Sequence, residues 1–292
     1  MKLALKIDVD TLRGTQEGVP RLVELLKKHG AGATFLFSLG PDHTGRALRR
    51  VFQPGFFSKV SRTSVLEHYG VRTLLYGTLL PGPDIGRRGA QVMRAVRDAG
   101  FEVGVHCWDH VRWQDYVTRR DADWTEREMQ RACDRFHQVF ETRPKTWGAA
   151  GWQLNRHAAW YEERHFAYAS DTRGAGPFRP LWDGVAIGCP QLPTTLPTLD
   201  ELVGLRDDVV QHLLSRSGDG DHVFTAHAEL EGGKLMPLFE ALIAGWKAQG
   251  YALVPLENLY RALDLEHLPR CEVVQGTVPG RSGTLALQGE SA

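Results

Sequence analysis

Two groups of side chains are suited to holding a cation: the histidines of His106-Cys107-Trp108-Asp109-His110 and the aspartates of Ile7-Asp8-Val9-Asp10. Two imidazoles four residues apart can reach one metal ion from a helical turn or a tight loop, and a carboxylate from elsewhere completes a facial triad with open positions. With 12 histidines in the chain the pair alone is a weak signal, so its context decides. Asp8 and Asp10 point the same way on an extended backbone, which is costly for like charges unless a cation lies between them.

The elements that must carry these residues are strands. Phe101 to Val105 reads as a short buried strand ahead of the histidine pair, and Leu3 to Ile7 as another ahead of the aspartates. Both polar clusters then stand at strand C-termini, where α/β barrels collect their site residues. A glycine-rich loop follows Asp10, then a helix from Arg21 to His29 stopped by Gly30, then a strand from Ala33 to Phe37, which is the repeating unit of a parallel sheet. Further units read as a helix from Ala90 to Ala99 and a helix capped by Thr125, with Glu128 as its capping-box partner, running to Phe140. Strands follow over Pro144 to Gly148 and Phe166 to Ala169, and Trp152 and Asp171 lie just beyond their ends. Residues 175–198 are proline-rich and read as an ordered loop after a short strand near Val185. Leu199 to Leu214 reads as one helix, and the apolar strand from His222 to Ala226 delivers His227 at its end. Residues 1–265 make one catalytic barrel on this reading, and 266–292 a C-terminal tail with little core signal, extended or mobile.

Composition narrows the function classes. Lysine plus arginine equals aspartate plus glutamate at 35 each, so no global charge favours nucleic acid. Four cysteines without paired spacing indicate neither a disulfide framework nor a thiolate zinc site, which suits a reducing compartment. The apolar run at the N-terminus is too short for a signal peptide, and no stretch reaches the length of a transmembrane helix, so the expected location is cytoplasmic.

The strand-helix alternation breaks over residues 43–89, an insertion after the second strand. Arg46, Arg49, Arg50, Lys59, Arg62 and Arg72 face a single acid, Glu67, with Phe52, Phe56, Phe57, Leu74, Leu75, Leu79 and Leu80 close by. That pattern fits either a loop excursion folded onto the core or a surface that meets an anionic lipid interface.

Seven strand-helix units with polar residues at successive strand ends resemble the NodB-type polysaccharide deacetylases, carbohydrate esterase family 4. The resemblance implies an α/β fold, a distorted (β/α)7 barrel, and one divalent metal ion, zinc, manganese or cobalt. It further implies Asp8 as catalytic base, Asp10, His106 and His110 as metal ligands, and His227 as general acid. A closer resemblance runs from Asp8 to the tail, through Arg13-Gly-Thr-x-x-Gly-Val-Pro20, Ala149-Ala-Gly-Trp152, Ser170-Asp-Thr-Arg-Gly174, Pro193-Thr-Thr-Leu-Pro-Thr198 and His227-Ala-Glu229. It is similar to the members of that family that deformylate a lipid-linked aminosugar. This implies an undecaprenyl phosphate-linked substrate, a role in lipid A modification and polymyxin resistance, and peripheral association with the cytosolic leaflet of an anionic membrane. A soluble sugar N-deacetylase and a non-catalytic sugar- or lipid-binding barrel are the competing readings, the second opposed by a set holding base, acid and ligands together.

One departure stands out. The wider family has Arg-x-Pro where this chain has Ala149-Ala-Gly-Trp152, so the arginine that orients its catalytic aspartate is missing there. Arg173 or Arg13 could substitute, or each could be a solvated or phosphate-binding arginine. A protonated His227 also calls for a carboxylate neighbour, for which Asp171 is the candidate, alongside its reading as a cap or loop carboxylate.

Overall fold

The computed structural model of the chain describes residues 1–47 and 65–291. Among these, seven parallel strands form one curved sheet: β1 (Lys2–Val9), β2 (Thr34–Ser38), β3 (Glu102–Cys107), β4 (Thr146–Trp147), β5 (Tyr168–Ala169), β8 (His222–His227) and β9 (Ala252–Val254). The order is β5-β4-β3-β2-β1-β8, with β9 also on β1. β1 is the axis of the fold: β8 pairs along Leu3 to Asp8, while the opposite edge is shared, Lys2 to Ala4 with β9 and Lys6 to Val9 with β2. Helices such as Val19–Lys28, Ala90–Asp98, Ala122–Phe140 and Met236–Ala248 cover the outside, burying Leu22, Met93, Phe136 and Trp246 against the sheet.

The sheet does not close strand to strand. Between β5 and β8 runs the extended segment 190–196, with Leu192 N–H donating to Ala169 O and Thr195 N–H to Val223 O. Pro190 and Pro193 remove two ladder donors, so the segment bridges the edges without forming a regular strand. This is the distorted (β/α)7 barrel.

Several local readings change. The stretch after Asp10 is not a loop: residues Gly14–Gly18 form a π-helical turn that runs on into Val19–Lys28. Its glycines serve close approach, since a Cβ would lie 1.9 Å from Glu229 Oε1 at Gly14 and 2.0 Å from Ala228 O at Gly18. The long helix starts one turn earlier than the Thr125 cap, because the Asp121 side chain accepts from Trp124 N–H and Thr125 bonds back to Asp121 O. The segment read as one helix from Leu199 is two, Leu199–Leu202 and Val209–Arg216, broken at Gly204 with φ 76°.

The residues from Glu266 onward pack on the barrel. β10 (Arg270–Gly276) and β11 (Leu285–Ser291) form a hairpin that joins β6 (Arg179–Trp182) and β7 (Val185–Ala186) in a second, four-stranded sheet. Of the insertion, Arg49, Arg50, Lys59, Arg62, Phe52, Phe56 and Phe57 lie outside the described residues. Within the described part, Leu74 is buried and Arg46 is tied to Gly77 O, whereas Leu79 is 81% exposed.

Candidate active site

The C-terminal ends of β1, β3 and β8 meet at one rim. Asp8 and His227 are direct partners across the β1–β8 ladder, so their side chains leave the sheet on the same face. His106 is the extra residue of a bulge: Val105 pairs with Phe37 and Cys107 with Ser38, and the bulge turns the imidazole inward. His110 opens the helix His110–Tyr116, whose N-cap Asp109 accepts from Arg112 N–H and pairs with His43 at 2.6 Å. Asp109 is therefore a cap.

Asp10, His106 and His110 present ligand atoms within 4.8 Å of one another. Asp10 Oδ1 lies 3.3 Å from His106 Nε2, and Oδ2 lies 3.4 Å from His110 Nε2. His106 Nδ1–H donates to Gly148 O at 2.6 Å, which in the neutral ring leaves the Nε2 lone pair aimed at the carboxylate. A lone pair facing an anion in a buried site is an arrangement that a cation resolves, so the donor set fits a divalent ion. The same attraction shows in the titration of the residues: burial opposes charge on Asp10, yet His110, His106 and His227 hold its carboxyl far below the usual range. Burial likewise opposes charge on His106, and Asp8 and Asp10 raise its proton affinity nonetheless.

The backbone carrying Asp10 is fixed from β8's side. Glu229 Oε1 accepts from Asp10 N–H, Thr11 N–H and the Thr11 hydroxyl. Burial and the Asp10 charge raise the Glu229 carboxyl well above the usual range. The root of the insertion clasps the segments that follow Asp10 and precede His110: Asp42 accepts from Leu12 N–H, and His43 holds Asp109.

The remaining residues singled out in the sequence take other places. Arg13 pairs with Glu17 at 3.0 Å and lies against Gly70. Arg173 donates to both Glu201 oxygens and to Leu196 O. Asp171 does not serve His227, because its oxygens accept from Ala149 N–H and the Gln191 amide; burial raises its carboxyl, and these hydrogen bonds and the Lys6 charge offset that only in part. Trp152 stands edge-on to His227, ring centroids 6.1 Å apart, with its indole N–H on Thr194.

Two residues of the rim escape sequence reasoning. Lys6 is fully buried, with Nζ 3.4 Å from Asp8 Oδ2 and 2.8 Å from Ser170 O. The alternation Lys6, Asp8, Asp10 on one strand face was the available signal. Arg281, from the β10–β11 loop, reaches Thr198, Asp200 and Glu201 and lies over the Trp152 ring at 4.7 Å. Gly280, φ 83°, lets that loop close on the Glu201 backbone, where a Cβ would stand 2.5 Å from the carbonyl oxygen.

The polysaccharide deacetylase family model matches residues 3–166. The protein named 4-deoxy-4-formamido-L-arabinose-phosphoundecaprenol deformylase ArnD in Shewanella sediminis is 38% identical, over 98% of this chain and 94% of the relative. The protein of that name in Wigglesworthia glossinidia brevipalpis is 30% identical over 94% and 98%. Among solved structures, that of a polysaccharide deacetylase from Mycobacterium smegmatis superposes with a TM-score of 0.62 at 15% identity, covering 95% of each chain. This chain belongs to the polysaccharide deacetylase family, on the branch of the formamido-arabinose-phosphoundecaprenol deformylases.

Proposed function

We propose that the protein hydrolyses the N-formyl amide of 4-deoxy-4-formamido-L-arabinose carried on undecaprenyl phosphate, releasing formate and the 4-amino sugar for lipid A modification and polymyxin resistance. The carrying observation is the convergence at one rim of Asp8, the Asp10–His106–His110 group and His227. The choice of substrate follows the names of the relatives.

An amide is a poor electrophile with a poor leaving group, so its hydrolysis needs an activated water, stabilisation of the developing oxyanion and a proton for the amine. Asp10, His106 and His110 would hold one divalent ion, zinc, manganese or cobalt, which when bound acidifies water and polarises the formyl oxygen. Asp8 accepts the water proton, because its Oδ1 has no hydrogen-bond partner while Oδ2 faces Lys6. His227 hands a proton to the departing nitrogen, and its Nδ1 is likewise without a partner. Trp152 walls the acid off on one side. Mass spectrometry of the product after incubation with the formylated undecaprenyl phosphate sugar tests the reading. Loss of the formyl group with formate release is expected, and acetate release from the matched N-acetyl sugar alone would overturn it.

A lipid-linked substrate calls for reaction at a membrane surface, and in this reading that surface is the cytoplasmic one. No described helix is long and apolar enough to cross a membrane. Exposed Val71, Leu79 and Leu80 beside exposed Arg72 support peripheral docking through residues 43–89. Flotation with anionic liposomes is the assay, and equal flotation of wild type and a Leu79→Ser, Leu80→Ser, Arg72→Glu variant would remove this part of the proposal.

A further inference from the structure

Lys6 is a fully buried lysine inside the barrel, one strand repeat below Asp8. A buried ammonium is retained only where its donors are matched, and three partners do this. Nζ–H donates to Ser170 O at 2.8 Å, faces Asp8 Oδ2 at 3.4 Å and lies over the Trp152 ring at 5.4 Å. The packing beside it is close, since a Cβ on Gly148 would already meet its Cε at 3.2 Å. The two oxygens of Asp8 are thereby made unequal. Oδ2 is held by the ammonium, while Oδ1 makes no hydrogen bond and has His106 Nδ1 beside it at 3.8 Å.

We infer that Lys6 is a positioning residue for Asp8: it holds Oδ2 so that Oδ1 alone faces the reacting water. Lys6 does not touch substrate, because no part of it is exposed. The inference deepens the deformylase reading and rests on it for the reaction, though the coupling between the two side chains can be measured without turnover. Lys6 offers no atom to the Asp10, His106 and His110 group, and reaches it only through its charge on His106.

The test is a double-mutant cycle on the full-length protein with Lys6→Met, Asp8→Asn and the pair together, plus Lys6→Gln, which keeps a donor without the charge. In the metal-stripped protein, Lys6→Met lowers the melting temperature by leaving a buried carboxylate unpaired, and Asp8→Asn in the same chain recovers most of the loss. In the metal-loaded protein, Lys6→Met lowers kcat by roughly 10²-fold, the scale of a misplaced reacting group, with KM and metal stoichiometry unchanged. Lys6→Gln is expected between the wild type and Lys6→Met. In the Asp8→Asn background Lys6→Met has no further effect on rate. If Lys6→Met proves too unstable to assay, Lys6→Gln and the neutral double variant carry the cycle. Additive effects in both stability and rate would overturn the inference. Coupling in stability with no deformylation by the wild type would instead overturn the substrate reading and leave the Lys6–Asp8 pair intact.

Discussion

Two charged clusters share the rim and are built on opposite principles. At the ends of β1 and β3, Asp10, His106 and His110 bring a carboxylate and two imidazoles within 4.8 Å of one another, a donor set that suits a divalent ion. Near the segment that spans β5 and β8, Arg173 and Arg281 both bond Glu201, Arg281 also bonds Asp200, and each lies over Trp152. Glu201's carboxyl is accordingly lowered by the two arginines in spite of its burial. The second cluster is complete in itself and serves as scaffold. The first offers a candidate site for the divalent metal that the deacetylase family uses.

The sharpest way to break the contrast is to empty the first cluster. His106→Ala or Asp10→Ala is expected to abolish metal binding and activity, whereas Asp8→Asn keeps the metal and loses about 10³- to 10⁴-fold in rate. Elemental analysis decides it, and full occupancy in His106→Ala would reassign the ligands. Opening the second cluster should act on stability instead. Glu201→Gln leaves the buried Arg173 guanidinium without the carboxylate it pairs with, and Arg281 with Asp200 alone, and is expected to cost about 3–5 kcal/mol in denaturant unfolding, with metal content unchanged. A smaller loss, about 10²-fold in kcat/KM, is expected for His227→Ala, with the basic limb of the pH profile flattened. An unaltered limb would place the acid elsewhere.

The smallest effect is a slope. Burial pushes the Glu231 carboxyl up to about 8, against the His227 N–H that it accepts. Its value in the unfolded chain is the ordinary 4.5, so the folded state keeps a proton that the unfolded state loses. The contribution to stability is full below pH 4.5, falls as pH rises toward 8 and is gone above it. Glu231→Gln should flatten the melting temperature over that window, and an unchanged slope would show that another group sets it.

The meeting of Asp10, His106 and His110 was legible in the sequence because these residues sit at strand ends with telling spacing, and that of Asp8 with them because it shares a strand face with Asp10. The scaffold cluster could not. Arg281 is held by ion pairs and by the face of Trp152 rather than by an apolar stripe of its own, so the tail that carries it shows no hydrophobic period to read. Lys6 was hidden for a related reason: a lysine in an apolar strand looks like a solvated edge until Ser170 and Asp8 are seen around it. The closing segment 190–196 follows neither strand nor helix periodicity, because its prolines break the ladder that would have signalled it.

The shared edge of β1 bears on how the chain comes to fold. Two of the three partners of β1, β8 and β9, lie at the far end of the sequence, as Asp10 and Glu229 do, 219 residues apart. During synthesis the first strand leaves the ribosome long before β8 and β9 exist, and contacts of such separation form slowly once they do. The strand made first is therefore completed last, and until its neighbours arrive Lys6 and the two aspartates remain hydrated, with no interior to be buried in.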